Sequence, residues 1–196
     1  MVFALAATDD EKTQLFVGFY LVKATLLVGL VGMIALIAQC WAEYRRRTYD
    51  PSWVVSFDRN FNSQEMKKVR SRAASFLKNN SNQLRSDDVS SGDLDDVLDF
   101  IEDLGFYVVG DQMTPEVAHH AFHTWVRGYY AAARDYIESV QEHSPTMWEH
   151  INSLLEMLDQ VEKERAHGKY KKTMNQNELD SFLGGEVKLE DEIENA

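Results

Sequence analysis

The chain has 196 residues, with 20 Lys and Arg against 32 Asp and Glu, for a formal net charge of −12. That sign repels phosphate backbones and argues against a nucleic-acid partner, and the length leaves room for one membrane span plus one modest soluble domain. A single cysteine, Cys40, excludes an internal disulfide framework; at the end of an apolar run, it is either lipid-modified or inert.

In chain order, residues 1–14 open with a short apolar patch and then carry Asp9, Asp10 and Glu11. The run from Leu15 to Ala42 that follows has no charge between Ala24 and Ala38. It exceeds the roughly 20 residues that cross about 30 Å of hydrocarbon, so 15–43 is expected to be one transmembrane helix. Acids precede it and Arg45, Arg46 and Arg47 follow it. Because cytoplasmic flanks carry the excess of Lys and Arg, the N-terminus is expected outside and everything from Arg45 onward in the cytoplasm. A cleaved signal peptide is the competing reading. The bases sit behind the apolar segment, the segment is long for a signal core, and Gln39 before Cys40 is not the small residue of a lipoprotein cleavage site. Lys23 interrupts the run, but 24–42 nearly spans by itself, which places Lys23 at the outer interface by snorkelling and the arginine triplet at the inner one. Gly18, Thr25, Gly29, Gly32, Ala35 and Ala42 recur at helical spacings and offer a face for self-association or another membrane helix. With Lys23, the same face would suit an accessory subunit of a channel or transporter.

Residues 44–61 read as a juxtamembrane linker, irregular and aromatic, with Pro51, Trp53, Phe57 and Phe61. A helical domain is expected over 62–168. Asn62 with Glu65 forms a capping-box-like start, and Met66, Val69, Ala73, Phe76 and Leu77 share a face to about Lys78. Lys67, Lys68, Arg70 and Arg72 decorate the rest of that helix, facing solvent or anionic lipid. Asn79 to Gly92 is a polar loop. From Asp93, Leu94, Val97, Leu98, Ile101 and Leu104 form a stripe that Gly105 is expected to stop, before a short connector of Phe106 to Val109. Asp95, Asp96, Asp99, Glu102 and Asp103 lack EF-hand spacing and read as a solvated face.

Thr114, Pro115 and Glu116 start the longest helix, which extends to about Glu142. Ser144 with Pro145 is expected to start the next, with Trp148, Ile151, Leu154, Leu155, Leu158 and Val161 as its stripe toward Gly168. The two should form an antiparallel hairpin. Trp125, Tyr129 and Tyr130 are expected to build the core with Phe76, Ile101 and Leu155.

The tail, 169–196, is polar and acidic, and composition predicts disorder for most of it. Asn177 to Leu183 is the exception, where Leu179, Phe182 and Leu183 share a face suited to docking on a partner or on the chain's own domain. The only histidines with metal-ligand spacing are His119 and His123, at i and i+4. Their HHxxH lacks the general-base glutamate of HExxH, and no third ligand is identifiable from the sequence, so no metal and no cofactor is expected. A metal-binding sensor or enzyme using this pair is the alternative. No glycine-rich phosphate loop, nucleophile elbow or Cys/His dyad supports catalysis.

The order of features carries a resemblance. An N-terminal span precedes FNSQEMKKVRSRAASFL, then LDDVLDFIEDLGFYVVGDQMTPEVAHHAFHTWVRGYYAAARDYI, then FLGGEVKL. Over about Phe57 to Leu189 this resembles a family of small bacterial membrane-anchored proteins with an uncharacterised helical domain, domain of unknown function 4760. The resemblance implies architecture and a bacterial inner membrane, and carries no catalytic or binding residues. NQNELDSFLGG, separately, is similar to the short acidic peptide of a flagellar switch protein that binds a response regulator. The expected fold is all-α: one transmembrane helix, a small cytoplasmic bundle and a partly disordered acidic tail. The expected function is an interaction or regulatory module, a subunit or adaptor of a membrane assembly and not an enzyme, with the lipid bilayer and a protein partner or a second copy as its contacts.

Overall fold

The computed structural model describes residues 9–48, 52–86, 89–166, 170–171 and 173–194, and in 9–19, 21, 24, 44–48 and 194 the backbone alone. Every regular element among the described residues is a helix, so the chain is all-α as its periodicities require. It divides into two units, residues 1–48 and 49–196.

The first unit is α1, Asp9–Thr48, 40 residues long. Its stretch Thr25–Glu43 has a mean hydropathy of 2.0 with none of it buried, and by length and composition it can cross a membrane. Leu26, Leu30, Ile34 and Ile37 are all exposed. Of the segment expected before the span, residues 1–8 lie outside the described residues, and 9–14 already belong to the helix.

The second unit begins with a correction. Most of the expected linker is a helix, α2, Ser52–Phe61, while Tyr49 and Pro51 lie outside the described residues. The cause is aromatic packing: Phe57 meets the rings of Phe100, Tyr107 and Phe122 edge-on at 5.4, 5.4 and 6.5 Å, and Phe61 is 1% exposed. Then come α3, Gln64–Asn80, and α4, Gly92–Val109, with Ser63 and Ser91 as N-caps whose side chains accept from the Met66 and Leu94 amides. The α3 cap is thus Ser63, one residue beyond the expected Asn62.

Gly105 does not stop α4. The helix runs through it to Val109, because the missing side chain is what lets α6 approach: a Cβ there would sit 2.9 Å from the His150 Cβ. The expected stripe of Leu94, Val97, Leu98, Ile101 and Leu104 is buried to 1% or less throughout.

The longest helix, α5, Pro115–His143, pairs with α6, Glu149–Arg165, as the expected hairpin. α6 starts four residues after Pro145, since Ser144 to Met147 form a turn and Trp148 takes a left-handed backbone, φ 53°. That turn buries the Trp148 indole, whose Nε1 donates to Asp99 at 2.7 Å. Of the expected core, Tyr129 and Ile101 are buried, whereas Trp125, Tyr130, Phe76 and Leu155 pack at its edge. Phe122, Leu154 and Leu158 fill the centre in their place.

The tail is more helical than its composition implies. Asn175 and Glu178 form a reciprocal capping box that opens α7, Gln176–Val187, and α8, Leu189–Glu194, follows. α7 packs on α3 and α5, and α8 on α3. Helix formation there is a tertiary event, driven by what α7 buries.

Candidate functional site

Two places bring charged side chains into the interior. The first lies on the α5–α6 seam. Pro115 at the first helical position sets the start of α5, placing His119 and His123 one turn apart on the face toward α6. The antiparallel pairing then brings His119 opposite Glu162, Nε2 to Oε2 at 2.7 Å, and His123 opposite Asp159, Nε2 to Oδ1 at 3.8 Å. The two imidazoles stack at 4.4 Å with planes 19° apart. One ligand atom from each of His119, His123 and Glu162 lies within 4.8 Å of the others. Burial first, and His119 second, lower the His123 pKa below its ordinary 6.5, so the ring is neutral at pH 7.

The seam is incompletely paired. His123 Nε2, Asp159 Oδ1, Arg127 Nε and the Tyr170 hydroxyl are buried without a hydrogen-bond partner. Burial, and then Asp159, hold the Tyr170 phenol above its usual range. Asp159 also lines a cleft of about 430 Å³ with Arg127, Tyr130, Arg134, Glu156 and Met174.

The second place is where α7 docks. Glu186 is 6% exposed and Arg70 2% exposed. The guanidinium makes a bidentate pair with the carboxylate, Nε to Oε2 at 2.8 Å and Nη2 to Oε1 at 2.7 Å, while Nη1 donates to the Phe61 carbonyl at 3.1 Å. The Tyr129 hydroxyl donates to Glu186 at 2.8 Å and Trp125 Nε1 at 3.2 Å. Burial, then Glu186, drive the Tyr129 phenol well above its ordinary value, so it stays a donor. Phe182 lies on Gly128, where a Cβ would come within 2.5 Å of the ring, and meets Tyr129 edge-on at 5.3 Å.

The expected docking face is thus occupied within the chain: Leu183 is buried, and Leu179 and Phe182 pack against the core. Arg70, expected on a solvated or lipid-facing surface, is the buried half of the ion pair, and Arg72 pairs with Asp93. The sequence missed Glu186, hidden in a run of acids, and missed Asp159, whose signal was a carboxylate four residues after Leu155 on the apolar stripe. The acidic face of α4 is likewise structural in part. Asp95 accepts from Tyr136, Asp99 from Trp148, and Glu102 from the His150 amide and ring. Lys23 and Cys40 are exposed on α1, and Arg45, Arg46 and Arg47 fall in its last turns, where side chains are outside the described residues.

The family described as Domain of unknown function (DUF4760) matches the chain over residues 26–158, a stretch from within α1 to within α6. No curated protein and no solved structure matches.

Proposed function

The chain belongs to the DUF4760 family, a domain of unknown function, and from that premise we propose that it is a membrane-anchored interaction module. It acts as a subunit or adaptor of a bacterial inner-membrane assembly and not as an enzyme. In this reading α1 crosses the bilayer with its N-terminus outside. The helical body is cytoplasmic, because the acids come before the span and the arginine triplet after it.

The observation that carries the reading is the manner in which α7 is held. An amphipathic helix lying on α3 and α5, anchored by Phe182 and Leu183 and fixed by the Arg70–Glu186 pair, is helix-in-groove recognition performed by the chain on itself. A partner helix with the same apolar pair and a carboxylate one turn later fits the surface that α7 covers. The module is then self-occupied at rest and open when α7 leaves.

The test uses the full chain in detergent micelles. Hydrogen exchange should show α7 opening at lower free energy than α4 and α5, and Glu186→Gln should speed exchange in 176–187 by about 10-fold or more while α5 and α6 stay protected. Uniform exchange in all helices, unchanged by Glu186→Gln, would refute a displaceable helix. Alkaline extraction and protease protection of membranes test the anchor and its orientation.

A further inference from the structure

We propose that His119, His123, Asp159 and Glu162 are the ligands of one divalent transition-metal ion of the zinc type, held between α5 and α6. The inference is independent of the interaction reading, since it concerns the opposite partner of α5. Each helix contributes two ligands at the spacing that puts both on one face, i and i+4 for the histidines and i and i+3 for the carboxylates. The antiparallel pairing sets them opposite each other in two rows, 2.7 Å apart at His119 and Glu162 and 3.8 Å apart at His123 and Asp159. Four ligands about 2.1 Å from a tetrahedral ion are roughly 3.4 Å from one another. His119, His123 and Glu162 already lie within 4.8 Å of one another, and binding requires Asp159, outside that group, to close in and the stacked imidazoles to turn toward the ion.

The second row carries the inference. Asp159 is 5% exposed, and its Oδ1 faces His123 Nε2 with neither atom hydrogen-bonded. Two buried polar atoms left without partners are unfavourable in the interior, and 3.8 Å is too long for a hydrogen bond between them. A shared ion satisfies both. Two imidazoles with two carboxylates suit zinc and its first-row neighbours, whereas magnesium and calcium select oxygen alone. The Glu162 side chain, 34% exposed, opens the site to solvent.

Two cations oppose the ion. Arg127 lines the cleft beside Asp159, and Arg165 donates to His119 Nδ1 at 3.3 Å. That bond leaves the His119 proton on Nε2, which donates to Glu162. On metal binding the proton moves to Nδ1, the lone pair on Nε2 becomes the ligand, and Arg165, an exposed residue at the end of α6, withdraws.

The experiment is titration of chelator-stripped full-length protein in micelles with Zn²⁺ by calorimetry, and with Co²⁺ by visible absorption. One ion per chain is expected, with cobalt bands of a four-coordinate nitrogen–oxygen site. His123→Ala and Asp159→Asn should each weaken zinc binding on the order of 100-fold, the exposed His120→Ala should leave it unchanged, and Arg165→Gln should tighten it roughly 10-fold. Circular dichroism confirms that each variant is folded, and the cobalt spectrum of the unmodified chain tests the site without any substitution. No saturable uptake, uptake indifferent to His123→Ala, or binding weakened by Arg165→Gln would overturn the site.

Discussion

The two faces of α5 bury charge in opposite ways. Toward α7, Arg70 and Glu186 are matched donor for acceptor, with Tyr129, Trp125 and the Phe61 carbonyl completing the set. Toward α6, His123 and Asp159 face each other with open valences, and Arg127 and Tyr170 add two more unpartnered atoms. A completed network fixes one arrangement of helices, while an incomplete one costs about 1–3 kcal/mol per unsatisfied group. The first is a fastener and the second is not.

The largest effect should come from halving the completed pair. Arg70→Leu leaves Glu186 buried and uncompensated, and should cost about 3–5 kcal/mol in urea unfolding, most of it recovered by adding Glu186→Leu. A single-variant cost under about 1 kcal/mol would break the contrast. Next, Gly128→Ala pushes against the Phe182 ring and should cost about 1–3 kcal/mol. Fast exchange should be confined to α7, and Phe182→Leu should relieve the loss. On the incomplete side the sign reverses: without metal, Asp159→Asn supplies an N–H toward His123 and should stabilise by about 0.5–1 kcal/mol in thermal melts. A loss would identify the Tyr170 hydroxyl, whose proton Asp159 already helps to hold, as the partner of Asp159.

A pH dependence lies outside both networks. Burial, then the bond to Asp95, raise the Tyr136 phenol from 10.0 to about 12. The folded chain therefore holds this proton more tightly than the unfolded one. The stability it contributes is present below pH 10 and lost as pH rises from 10 through 12. Tyr136→Phe should flatten that part of the stability curve; an unaltered profile would remove the Asp95 bond as its source.

The apolar stripes of α4 and α6 were legible because burial follows helical period, and α5 because Pro115 and Glu116 mark its start, although Thr114 makes no side-chain cap bond. The apolar stretch of α1, long enough to cross a membrane, was legible from length and composition alone. What escaped was tertiary in origin. Gly105 looks like a stop unless one knows that α6 crosses there, and Ser144 with Pro145 looks like a start unless Trp148 is seen turning inward. The second unit's outer helices, α2 and α7, depend on Phe57, Phe61 and Glu186 finding partners far along the chain, which local pattern does not encode. At the seam, the histidines were visible as a pair; Asp159 and Glu162 became their counterparts only through the register of the hairpin.

The start of α6 has a consequence for the order in which the chain folds. Trp148 gives this helix no side-chain cap. The amide of its second residue, His150, is bound instead by the Glu102 carboxylate at 3.0 Å, from 48 residues away in α4. α6 thus lacks a cap of its own. α6 should gain persistence when α4 arrives with Gly105 against His150, a contact of long sequence separation whose loop-closure cost comes before its reward.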